Sequence, residues 1–204
     1  MTQYFEPRAN VAALPAEGGA LSFAPSILVS LEAPCEVAAR EALLDEAFGA
    51  ARWTKTADQL REGRLPAKGL SLVAKDQGVV VGTLRCWNVR AGGKPALLLG
   101  PLAVAKSHRS CGIGAKLMRE ALWRAAMLGH RAVLLVGDAP YYARFGFAAA
   151  LAAGLDLPGP VDRDRFMGFE IEDGALGGAR GMVVATGARS GLRRRPQPAL
   201  RQAA

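Results

Sequence analysis

Between Leu97 and Phe147 an apolar strand, a glycine turn, an amphipathic helix and a second apolar strand follow one another directly. Pro95 to Val104 reads as strand. From Gly112 to Leu128, Ile113, Leu117, Ala121, Ala125 and Leu128 recur on one helical face, while Lys116, Glu120 and Arg124 fall elsewhere. Ala132 to Gly137 is apolar throughout, as expected for a short strand buried on both faces. Pro140 then opens a short helix that ends at Gly146.

Ile27 to Glu32 alternates and reads as a first strand. Pro34 suits a first helical turn, followed by a helix with Val37, Leu44, Ala47 and Phe48 inward and Glu36, Arg40 and Glu41 outward. Residues 49–69 form a charged connector with a short helix from Thr56 to Arg61. Leu70 to Lys75, the turn Asp76-Gln77-Gly78 and Val79 to Trp87 make a hairpin. Gly92-Gly93 turns the chain into Pro95, and two weaker strands are expected at Phe166–Ile171 and Met182–Thr186. This order implies an α/β or α+β sheet domain with helices on its faces. The domain is expected over 26–187, after a poorly ordered arm at 1–25 and before a basic, disordered tail at 188–204.

The formal charge of +8 raises nucleic acid as a partner, but five arginines of the tail (Arg189, Arg193, Arg194, Arg195 and Arg201) carry most of it. The body is close to balanced, and nucleic acid is not expected. Nor is a membrane: there is no run of about 18 apolar residues, and the N-terminus does not read as a secretory signal. The three cysteines, Cys35, Cys86 and Cys111, have neither metal nor disulfide spacing. Reduced thiols, no metal and a cytoplasmic location are the expectation.

Three phosphate-binding patterns compete at the glycine turn. Gly100-Pro-Leu-Ala-Val-Ala-Lys106-Ser107 misses a P-loop, because Ala105 replaces the second glycine and PLAV reads as strand. Gly112-Ile113-Gly114 resembles a dinucleotide fingerprint, with Asp138 near the place of a ribose-binding acid, but Leu117 stands where the third glycine belongs. Arg109-Ser110-Cys111-Gly112-Ile113-Gly114 fits R-x-x-G-x-G/A at a helix start. There the unpaired N–H groups, bare glycines and one arginine suit a pyrophosphate. Taken alone, the turn is equally an ordinary tight turn before a core helix.

The segment Tyr141-Tyr142-Ala143-Arg144-Phe145-Gly146-Phe147 adds Y-x-[KR]-x-G-F about thirty residues downstream. The two motifs together resemble the GCN5-related N-acetyltransferase (GNAT) superfamily, and LGPLAV and LVGDAPYYARFGF are similar to its YhbS-type branch. The resemblance runs from Ile27 to Gly187. It implies acetyl-CoA as donor and a mixed, mostly antiparallel sheet splayed at its middle strands, with the pantetheine arm between them. Pro101, which cannot donate a ladder hydrogen bond, and Gly100, which permits a bulge, are independent signs of such a break. A proline on a sheet edge is the other reading.

By resemblance, main-chain groups of Leu102, Ala103 and Val104 pair with pantetheine, and those of Arg109, Ser110, Cys111, Gly112, Ile113, Gly114 and Ala115 surround the pyrophosphate. Lys106-Ser107 and Cys111 depart from the usual pattern without removing an amide, and Cys111 is expected to be buried and inert. Tyr142 is the expected general acid, since a thiolate leaves better once protonated. Tyr141 is expected to pack or to line the acceptor site. The amide of Leu102 or Val104 is the candidate oxyanion donor. Asp138 is expected to cap the short helix, and His108 and His130 to lie at the surface. No general base is evident. The acceptor, a small-molecule or peptide amine, is expected near Trp53 to Arg64 and Leu151 to Phe169. A non-catalytic acyl-CoA-binding module is the alternative, and the sequence leaves a homodimer open.

Overall fold

The computed structural model describes residues 27–49, 52 and 56–191. The arm, Trp53 and residues 192–204 of the tail lie outside them. Strands β1 (Leu28–Leu31), β2 (Ser71–Asp76), β3 (Val79–Ala91), β4 (Lys94–Val104), β5 (Ala132–Val136) and β7 (Phe166–Glu170) lie in that order in one sheet. Further strands β6 (Leu155–Asp156) and β8 (Gly181–Ala185) join it, β8 pairing with both β3 and β6. Pairing is antiparallel except between β4 and β5 and between β6 and β8. Among the described residues four α-helices accompany it: α1 (Val37–Phe48), α2 (Thr56–Gln59), α3 (Ile113–Met127) and α4 (Ala139–Ala143).

Helix α3 buries Ile113, Leu117, Met118, Ala121 and Ala125. It sits so close to β3 that a Cβ on Gly82 would lie 3.0 Å from both Ile113 and Leu117. Leu128, expected inward, is exposed, because the helix stops at Met127 and turns through Gly129. In α1 the inward residues are Leu43 and Leu44, while Val37 is exposed. Arg40, expected outward, is buried because Glu32 accepts from its Nε at 3.0 Å. Helix α2 ends two residues short of Arg61, and the 3-10 turn at Ala149–Ala152 and strand β6 were not expected. Residues 188–190, assigned to the tail, are tied to the body: Leu65 N–H donates to Ala188 and Ser190 N–H to Gly63.

The feature that positions the site is a break in β4. Leu84 of β3 faces Leu102 and Cys86 faces Leu99, so Arg85 stands opposite two residues, Gly100 and Pro101. This two-against-one count is a β-bulge, and it inverts the side-chain alternation of the strand. Before it, Leu97 and Leu99 pack in the cluster beneath α3; after it, Leu102 and Val104 pack there, and Ala103 turns to Leu43 and Leu44 of α1. The Gly100–Pro101 peptide is cis, Gly100 has φ of 120°, and its carbonyl accepts from Trp87 Nε1 at 2.9 Å. Strands β4 and β5 pair only at Leu97–Val133 and Leu98–Leu134. Beyond Leu98 they part, while β5 stays paired with β7 as far as Val136. At Pro101, therefore, β4 has one strand neighbour, although the strand begins inside the sheet.

Candidate active site

The parting of β4 and β5 leaves a wedge. One side is the second half of β4. Ala105 N–H donates to Val81 of β3 at 2.9 Å. Strand alternation then turns the Ala103 N–H the same way and the N–H groups of Leu102 and Val104 toward the wedge. These two are the candidate oxyanion donors and two of the three residues expected to pair with pantetheine; Ala103, the third, is turned to β3 because it lies in the ladder opposite Thr83.

The loop after β4 closes one end of the wedge. Arg109, Ser110 and Cys111 are exposed there, and Ser110 has a positive φ of 64°. Gly112 caps α3 in the left-handed region with φ of 74°, and no side chain hydrogen-bonds to this end of the helix. The helical ladder begins with Lys116 N–H donating to the Gly112 carbonyl at 3.0 Å. The N–H groups of Ile113, Gly114 and Ala115 are thus the open end of a fifteen-residue helix, partially positive and unbonded. A Cβ on Gly112 would meet nothing within 4 Å. Cys111 does not fit the expectation of a buried thiol: the loop holds it at the surface, its Sγ 3.5 Å from the Arg109 carbonyl.

Helix α4 forms the other wall. Asp138 caps it, accepting from Tyr141 N–H at 3.3 Å, as its position before Pro140 suggests. The Tyr142 ring lies against Gly137, where any side chain would collide with it. It meets Tyr141 edge-on at 4.9 Å between centroids and Phe147 at 6.1 Å. Burial pushes the Tyr142 phenol up to about 12; Tyr141 and Asp138 add to this, and Arg165 and Arg61 oppose it. The Tyr141 hydroxyl lies over the first turn of α3, 2.6 Å from where a Gly114 Cβ would be. Burial raises the Tyr141 phenol too, against the pull of Arg144, whose guanidinium carbon lies 4.5 Å from the ring centroid.

Two arginines near Tyr142 carry no sequence signal. Arg165 donates from Nε to the Gly137 carbonyl at 3.2 Å, and so braces the glycine on which Tyr142 rests. Arg61 reaches the break in β4 from beyond α2: its Nη2 would lie 2.9 Å from a Cβ on Gly100. The histidines lie elsewhere. His108 Nε2 is 3.2 Å from Asp76, and His130 precedes β5 at the end away from α4. Among the described residues no three His, Cys, Asp or Glu side chains gather to hold a metal, and no helix is long and apolar enough to cross a membrane.

A family model described as an acetyltransferase (GNAT) domain matches residues 67–149, the span from the β2–β3 hairpin past α4. The N-acetyltransferase YhbS of Escherichia coli (strain K12) is 31% identical over 159 residues, covering 77% of this chain and 95% of YhbS. The chain belongs to the GNAT family. A crystal structure of E. coli YhbS in complex with CoA is similar to this GNAT chain with a TM-score of 0.68 at 32% identity, covering 80% of this chain and 91% of that one. A GNAT acetyltransferase from Brucella melitensis in complex with acetyl-CoA gives 0.59 at 28% identity, over 80% and 97%.

Proposed function

We propose that this GNAT chain holds the pantetheine arm of acetyl-CoA in the wedge between β4 and β5 and passes the acetyl group directly to a primary amine, with Tyr142 as general acid. As a GNAT enzyme the chain is an acetyl-CoA-dependent N-acetyltransferase. The observation that carries the finer reading is the parting of the two strands after Leu98, with unbonded helix amides at one end and a half-buried phenol at the other.

Pantetheine takes the place of a missing strand beside the Leu102 and Val104 amides, the Ala103 N–H being turned to β3, and the main-chain groups from Arg109 to Ala115 receive the pyrophosphate. Arg109, which forms no ion pair among the described residues, adds a charge-assisted contact. The amine nitrogen attacks the thioester carbon, and the oxygen charge falls on the Leu102 or Val104 amide. As the new C–N bond forms and the C–S bond breaks, sulfur takes the Tyr142 proton, and the amine's surplus proton leaves to water. A phenol pushed up to about 12 remains protonated at neutral pH, so it enters the cycle as donor. Arg61 and Arg165 face the charge it acquires.

Asp138 is engaged as a cap and His108 with Asp76, which leaves no side chain assigned as base and favours a second reading, a non-catalytic acyl-CoA-binding module. Thiol release from acetyl-CoA with a panel of amines separates the two. Tyr142→Phe is expected to lower turnover at least ~10-fold with acetyl-CoA affinity nearly unchanged. Tyr141→Phe serves as its control. Full turnover in Tyr142→Phe would remove Tyr142 as the acid.

A further inference from the structure

The geometry points to Arg61 as the residue that selects the acceptor: it receives the carboxylate of an amine substrate that carries one within a few bonds of its nitrogen. The inference rests on the transfer reading above and deepens it.

Arg61 is a poor choice for mere packing. Its side chain retains 13% of its exposure, and burial lowers its pKa, offset in part by Asp58. Only Nη1 has a partner, Asp58 Oδ1 at 2.9 Å. The buried Nε has none, and Nη2 donates to no described residue. The Nε–Nη2 edge is the one that a carboxylate meets with two parallel hydrogen bonds. Guanidinium stays charged even when burial lowers its pKa, and its one carboxylate partner leaves the buried Nε unsatisfied.

Place and charge agree. Nη2 occupies the space that Gly100 leaves by lacking a side chain, at the break in β4. Gly100 precedes Leu102 by two residues, less than about 7 Å along a strand. A carboxylate on Arg61 therefore lies close to an amine attacking at the Leu102 amide. The other groups that bear on Tyr142 from α4 and from the segment before β7 are Tyr141, Asp138, held as a cap, and Arg165. With Asp58 and Asp138 set against the two guanidiniums, this side suits an amino acid, whose anion meets the open Arg61 edge and offsets its own ammonium.

The test uses the full chain with acetyl-CoA and amines matched but for the carboxylate: phenylalanine against phenethylamine, and methionine against 3-(methylthio)propylamine. The wild-type kcat/KM is expected to favour the acid of at least one pair about tenfold or more. Arg61→Gln is expected to bring the ratio near one, and Arg61→Lys to retain part of it. Acetyl-CoA Kd within about threefold of wild type shows that each variant is folded; should Gln fail this, the Lys variant and the wild-type ratio carry the test. Equal kcat/KM within both wild-type pairs overturns the proposal, and so does a preference that survives in Arg61→Gln. Equal losses for both members with the ratio kept would make Arg61 a positioning residue for Tyr142 and likewise overturn it. If acetyl-CoA binds and no amine releases thiol, the transfer reading itself fails, a result distinct from the others.

Discussion

Cys86 and Cys111 differ in what surrounds them. Burial under the sheet pushes the Cys86 thiol up to about 12, while Cys111 and Cys35 are exposed. A thiol reagent at pH 8 is expected to modify Cys35 and Cys111 in the folded chain and Cys86 only after unfolding. Saturating acetyl-CoA is expected to slow Cys111 at least about tenfold and to leave Cys35 unchanged; equal rates at Cys111 with and without donor would contradict the pyrophosphate loop. Tyr142 and Gly112 were legible in the sequence because a motif and a backbone demand fix their residue types. Arg61 was not. What gives it meaning is the bare Gly100 nearly forty residues on, which no local pattern records. Arg40 misled for the same reason: a charged side chain is expected outside unless its partner is known.

Helix α1 is joined to the sheet by charge as much as by its two buried leucines. Glu32, just after β1, accepts from Arg40 of α1 at 3.0 Å and from Arg85 of β3 at 2.9 and 2.6 Å, with 3% of its side chain exposed. Glu41 accepts from Arg40 and Arg52, and Lys75 donates to Glu36 at 2.8 Å. Removing one member of such a buried set strands the others, so Glu32→Ala is expected to cost about 3–5 kcal/mol in chemical denaturation. A loss below about 1 kcal/mol would mean that water replaces the carboxylate. The elements that sequence periodicity located best are α3 and β5, where burial is local and regular. Strand β3 runs to Ala91, past the expected end at Trp87, because it stays paired with β4 up to the Gly92-Gly93 turn and β8 joins its other edge from Val89 to Ala91 across some ninety residues. The two residues of β6 depend wholly on that same distant strand.

For the molecule as a whole, high pH is the exposed flank. Cys86 rises from an ordinary 9.0, and Tyr142 from 10.0, each to about 12, and both are neutral when protonated. A raised folded-state pKa on a group neutral in its acid form adds stability that is complete below the unfolded value and is lost as pH climbs to the folded one. The denaturation midpoint is therefore expected to fall between about pH 9 and 12. Cys86→Ala with Tyr142→Phe is expected to flatten that slope, and an unchanged slope would show both groups to be solvated. The order of strands and helices could be read from the chain, but the parting of β4 from β5 could only be suspected at Gly100-Pro101. On the proposed placement of pantetheine, a sheet that opens beyond Leu98 is one that its own donor completes. Donor at a hundred times its Kd adds about 2.7 kcal/mol to the folded state. The fraction of chain that outlasts a protease thus becomes a gauge of donor concentration, usable before any acceptor has been found.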